Sequence, residues 1–255
     1  MRIFLFIVMI TFNLSGDDAK KQREVLLGLA GNWAGGGESV SISASNEEFP
    51  SKDEQKTQGK LIFNDKVVFR RMNFKRIIPE KDDLLYDSFI LTFWLDFKQR
   101  YRSITFDSKG FVYHKDFTVN EEGDCQIYSK IDGKFILIGK SKVTKDKFEG
   151  SSEYEYGGYI RKSNWKFLRT DKVTFKDPVV EIEPDIKKVL DTFPGKFPLP
   201  GHFKLLEEKE MISVFGYSVK EKAFMKWEIH ADGNYKVFED KGFLDSTQAY
   251  WKQIE

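Results

Sequence analysis

Apolar and polar residues alternate at the period of a strand along most of this chain. Phe89, Leu91, Phe93, Leu95 and Phe97 occupy every second position, which lines up one face of a strand and would scatter around a helix. Such a face has to be buried. The same reading gives strands at 33–43, 59–63, 66–74, 89–97, 101–106, 111–119, 125–130, 134–141, 148–156 and 164–169. Ser108-Lys109-Gly110, Glu122-Gly123-Asp124 and Asp132-Gly133 fall between strands, and each offers a residue that tolerates positive φ. Sequential antiparallel strands joined by tight turns predict an all-β, up-and-down meander, and closing that sheet removes its unpaired edges. Ahead of it, Asp17 and Asp18 suit a helix start, and Val25, Leu26, Leu29 and Ala30 share one helical face. A short helix there would cap one barrel mouth.

The pattern changes after residue 175. Five of the seven prolines (Pro178, Pro184, Pro194, Pro198 and Pro200) crowd into a stretch that marks a boundary. We read 17–175 as the barrel domain and 176–201 as a Pro-rich linker. Within the linker a short amphipathic helix starts at Pro184, carries Ile186, Val189, Leu190 and Phe193, and stops at Pro194-Gly195. Residues 202–255 form a C-terminal β block with strands at 202–206, 211–217, 223–230, 234–239 and 248–253. This block echoes 98–130 as a partial repeat: with Gly233 set against Gly110, Phe224, Trp227 and Ile229 fall on Tyr101, Ile104 and Phe106. One deletion later, 248–252 falls on 126–130. The block has too few strands to close on itself, so it should lean on the barrel or pair through an edge.

Residues 1–16 hold one positive charge followed by a continuous apolar stretch, of signal-peptide length and short of the roughly 20 residues of a membrane span. The expectation is removal of 1–16 and export to a periplasmic or extracellular space. Cys125 is the sole cysteine, which excludes an intramolecular disulfide. The 41 basic and 40 acidic residues are interspersed, leaving no basic stripe for nucleic acid.

Gly31-Asn32-Trp33, placed after the short helix and opening the run of strands, resembles the start of calycin barrels, the superfamily of lipocalins, fatty-acid-binding proteins and nitrobindin-like domains. The resemblance covers about residues 25–175 and implies a closed barrel holding a small apolar ligand. It also implies that Gly31 and Trp33 seal one end with an arginine from a late strand. Arg169 fits, sharing a strand face with Trp165 and Phe167; Arg161 is its rival.

Chemistry is sparse. His114, His202 and His230 form no helical metal pair, and no cofactor is expected. Nitrobindin-like barrels bind haem through one histidine, which leaves haem on His114 as a minor alternative. Gly139-Lys140-Ser141 lacks the earlier glycine of a phosphate loop, and Cys125 has no adjacent base. Glu149, Glu153 and Glu155 alternate as an acidic face opposite Lys162 and Lys166, and a catalytic base among them is the sharper alternative. Arg100 and Arg102 bracket Tyr101, and either could orient an anionic head group if it pointed inward. The leading expectation is therefore a carrier of a small apolar or amphipathic molecule, with Phe89, Phe93, Tyr154 and Trp165 lining the lumen. A non-catalytic interaction module with a filled barrel and a protein partner is the alternative, and a barrel isomerase a distant third.

Overall fold

The computed structural model describes residues 16–131, 133–176, 179–231, 233–240 and 251–255. Helix α1 (Gly16–Leu29) leads into ten strands: β1 (Gly31–Ser43), β2 (Glu48–Ile62), β3 (Val67–Ile77), β4 (Leu84–Leu95), β5 (Arg100–Asp107), β6 (Val112–Val119), β7 (Asp124–Ile131), β8 (Lys134–Val143), β9 (Lys147–Tyr156) and β10 (Tyr159–Arg169). Each pairs antiparallel with its sequence neighbour, and β1 pairs with β10, so the meander closes into a barrel. The fold is all-β as the alternation predicts. β2 and β10 are much longer than expected, β2 because 51–58 is polar on both faces and shows no apolar alternation.

Helix α2 (Pro184–Thr192) follows the barrel and buries Ile186 and Leu190. A second antiparallel sheet then forms from β11 (Phe203–Glu207), β12 (Met211–Ser218), β13 (Ala223–His230), β14 (Tyr235–Asp240) and β15 (Lys252–Gln253). It leans on the barrel. Ile212, Val214, Trp227, Ile229 and Val237 share one buried apolar cluster with Phe89, Leu91, Phe93, Leu95, Ile104 and Phe106 of β4 and β5. Phe106 meets the rings of Trp227 and Phe203 edge-on, with centroids 5.0 and 5.2 Å apart.

That layer fixes which way every barrel residue points. Side chains alternate across a strand, so if Phe89, Leu91 and Phe93 face the second sheet, then Ser88, Ile90, Thr92 and Trp94 face the lumen. Thr92 sits opposite Val68 on β3 and Ser103 on β5, and Ser103 opposite Lys115 on β6. The same register carries the inward face around the closed sheet. The expected inward placement of Phe89 and Phe93 is thus reversed: both are buried outside the barrel wall, where Phe89 stacks on Phe106 and Phe93 meets Tyr235 at a tilt. Arg102 shares their side. Its Nε donates to Asp116 at 2.8 Å and its Nη1 to Glu255 at 2.7 Å, so it orients no head group in the lumen. Arg100 is outward too, over the Tyr128 ring.

Residues 1–15 of the expected signal segment lie outside the described residues, as do 248–250 of the second echo. Among the described residues no helix is long and apolar enough to cross a membrane.

Candidate functional site, the barrel lumen

One end of the lumen is plugged. Leu26 and Leu29 of α1 pack on Val68 and Tyr101, with Trp94, Phe117 and Leu61 around them. Trp33 is buried at this end, opposite Arg169 in register, and the guanidinium lies 4.4 Å over its ring. Arg169 also donates to the carbonyls of Gly28 and Ala30, at 3.1 and 3.2 Å. Helix α1 has no basic residue in its last turn, so Arg169 supplies from β10 the cation that the negative helix terminus favours. Gly31 is needed there: its φ is +97°, and an added Cβ would stand 2.5 Å from Arg169 Nη1.

Beyond the plug the lumen is hydroxylated and cationic. Ser39, Ser41, Ser51, Thr57, Thr92 and Ser103 hold inward positions, as do Arg70 on β3, Lys115 on β6 and Arg161 on β10. Arg70 Nη2 donates to Thr92 Oγ1 at 3.2 Å, and Thr92 Oγ1 shares a 2.7 Å hydrogen bond with Ser103 Oγ. Arg70 Nε is buried without an acceptor. Burial pushes the Arg70 pKa down to about 10. Lys115 is also held below the ordinary lysine value, first by burial within the wall and then by repulsion from Arg161 and Arg70. More than a third of its surface is nonetheless uncovered. A lysine surrounded by wall yet touched by little of it stands in a hollow.

Of the four residues expected to line the lumen, Tyr154 and Trp165 have inward register and are half-buried. Trp165 Cζ2 comes within 2.7 Å of where a Cβ on Gly150 would be, so the ring lies flat along the β9 wall. Tyr154 faces Arg161 across the β9–β10 pair, and Arg76, also of inward register, is bound to Asp53 at 2.8 Å. At the open mouth Phe49 and Tyr159, also of inward register, meet edge-on at 6.1 Å. A cavity of about 920 Å³ runs along β8, β9, β10, β1 and β2; its lining takes the inward hydroxyls of Ser39, Ser51, Ser152 and Ser163 together with outward residues such as Lys52, Glu153 and Lys162. The three cations are not in its lining; Arg161 adjoins it through Lys162 and Ser163 of the same strand.

Sequence reasoning missed Arg70 and Lys115. The available signal was the polar face Tyr101, Ser103 and Thr105 on β5, which lies beside Lys115 of β6. His114 is outward, in the layer under the second sheet, with Nδ1 buried and unpartnered and its ring 6.5 Å from Tyr235. Its ring therefore does not point into the lumen. Among the described residues, no group of three His, Cys, Asp or Glu side chains is placed to hold a metal. Glu153 pairs with Lys162 at 3.3 Å on the outer face, which is the solvated reading of that acidic strand.

The fold is similar to that of an S-type phycobiliprotein lyase from Guillardia theta, with a TM-score of 0.38 and 13% identity over 59% of this chain and 93% of that one. No family model and no curated protein matches the chain.

Proposed function

We propose that this protein is a calycin-like carrier that holds one small amphipathic molecule in its barrel. The observation that supports it best is the asymmetry of the lumen: one end is stoppered by α1, Trp33 and Arg169, while the hollow beyond it holds a polar, unfilled middle and aromatic side chains toward the mouth. A container needs a bottom, an interior and an entrance. Apolar surface for the ligand comes from Trp165, Tyr154, Phe49 and Tyr159; Phe89 and Phe93 serve the sheet-to-sheet core instead. A hydroxylated middle joins the aromatic lining expected from sequence.

The apolar leader supports an exported location for the carrier; N-terminal sequencing of exported protein beginning near Asp17 is its test, and Met1 retained on such protein would count against it. For the binding itself, titration with an anilinonaphthalene sulfonate dye should show one saturable site per chain, with Trp165 emission changing in step. A Trp165→Phe variant should bind the dye but lose most of that emission change. Absence of saturable binding, or a dye signal insensitive to lumen substitutions, would overturn the reading.

A further inference from the structure

We infer that the middle of the lumen is an anion subsite, in which Arg70, Lys115 and Arg161 jointly receive a carboxylate, sulfonate or phosphate group of the molecule carried. The inference rests on the carrier reading and specifies the ligand's chemistry.

Three strands far apart in sequence bring these cations to one face of the closed sheet, and nothing in the barrel neutralises them. The acids at inward strand positions are Asp53 and Asp107 among the described residues. Asp53 is taken by Arg76, at 2.8 and 3.0 Å. Asp107 accepts from the backbone N–H groups of Lys109 and Phe111, at 2.9 Å each. Lys115 and Arg161 have no hydrogen bond or ion pair among the described residues, and Arg70 keeps a buried, unpartnered Nε. Arg70 donates to Thr92, Thr92 shares a hydrogen bond with Ser103, and Ser103 lies opposite Lys115, so Arg70 and Lys115 stand on adjoining inward positions, with Arg161 inward on β10.

Cations buried or half-buried on the outer face of the same wall have carboxylate partners. There Arg71 binds Asp87, Arg102 binds Asp116 and Lys162 binds Glu153. Buried and enclosed charges are ordinarily paired, because an uncompensated one is costly to remove from water. Three unpaired cations in one enclosed space depart from that rule in the direction a bound anion would correct. Such a group has several acceptor oxygens, enough for the free Arg70 Nε, the Lys115 ammonium and the Arg161 fork at once. The aromatic plug around Tyr101 and Phe117 closes the space on one side, so the rest of the ligand extends past Trp165 and Tyr154 to the mouth.

The test uses two arms on the whole protein. In the first, calorimetric affinity for laurate is compared with that for its methyl ester, in wild type and in Arg70→Gln, Lys115→Gln and Arg161→Gln. Laurate should bind at least about tenfold more tightly than the ester, as expected for hydrogen bonds to a charged group, and each substitution should erode that preference. In the second, inorganic phosphate at constant ionic strength should raise the thermal midpoint of wild type and not of the variants. Equal affinity for acid and ester, with no phosphate effect, overturns the anion subsite and leaves the carrier standing. A phosphate effect lost in the variants, with neither laurate nor ester bound, keeps the subsite and overturns the amphipathic carrier. Loss of both arms overturns both.

Discussion

Trp33 and Arg169 show what single residues contribute to this barrel. The tryptophan fills the plugged end, and the arginine covers its face while tying the end of α1 to β10. Trp33→Ala should therefore destabilise the protein by about 3–5 kcal/mol, the usual cost of emptying a buried aromatic site, read from denaturant midpoints. Unchanged unfolding would show the ring to be dispensable. His114 makes a second prediction. Burial first, and the nearby Arg102 charge second, hold its pKa at about 3 in the folded protein against an ordinary 6.5. The unfolded chain then takes up a proton that the folded one refuses. Stability from this group is complete above pH 6.5 and falls as pH drops toward 3, by up to about 1.4 kcal/mol per pH unit. Glu255 acts lower: burial raises its pKa, but hydrogen bonding and attraction from Arg102 outweigh that and bring it to about 2, so its contribution is lost between pH 4.5 and 2. Urea titrations of His114→Phe should show a smaller loss between pH 6.5 and 3 and an unaltered loss below that window. An unchanged slope in the upper window would contradict the account.

At the scale of elements, the second sheet belongs to the barrel's core. The hairpin β13–β14 and the hairpin β5–β6 pair in the same way about Gly233 and Gly110: Ile229 opposite Tyr235 as Phe106 opposite Val112, and Trp227 opposite Val237 as Ile104 opposite His114. Phe106 and Trp227, two positions out of step in that echo, meet between the sheets. Trp227→Ala should cost about 3–5 kcal/mol and leave a single unfolding transition detected equally by circular dichroism and fluorescence. Two separate transitions would mean that the sheets fold independently.

The strand positions were legible because alternation and turn residues report local backbone preference directly. The facing of β4 was not. That strand is buried on both sides, by the lumen and by the second sheet, and alternation tells one face from the other without saying which partner each meets. The more apolar face, Phe89, Leu91, Phe93 and Leu95, went to the dry sheet-to-sheet layer, and Thr92 and Ser88 to the lumen. The polar stretch 51–58 escaped notice for a related reason: its inward Ser51, Asp53, Gln55 and Thr57 face a hydroxylated interior, so no apolar stripe marks a strand. Arg169 and Trp33 could be paired from their motif, whereas Arg70, Lys115 and Arg161 converge only through closure of the sheet.

For the molecule as a whole, a net charge of +1 conceals a division of charge. Arg71 and Arg102 of the outer face are paired with carboxylates, while the lumen keeps three cations that are not. Such an arrangement sacrifices stability of the empty protein for affinity, a common cost of binding sites. Lys115→Gln and Arg70→Gln should consequently raise the thermal midpoint of the ligand-free protein, measured by scanning calorimetry. A lowered midpoint would assign these residues a structural role.

The central claim, that the barrel is a container for a small anionic amphiphile, is tested most directly by native mass spectrometry of the purified protein after exposure to a lipid extract. The account predicts one added mass per chain, released on unfolding, negatively charged in its own spectrum, and much reduced in a combined Arg70→Gln and Lys115→Gln variant. A spectrum of bare polypeptide from every preparation, or an added mass that persists undiminished in that variant, would contradict it.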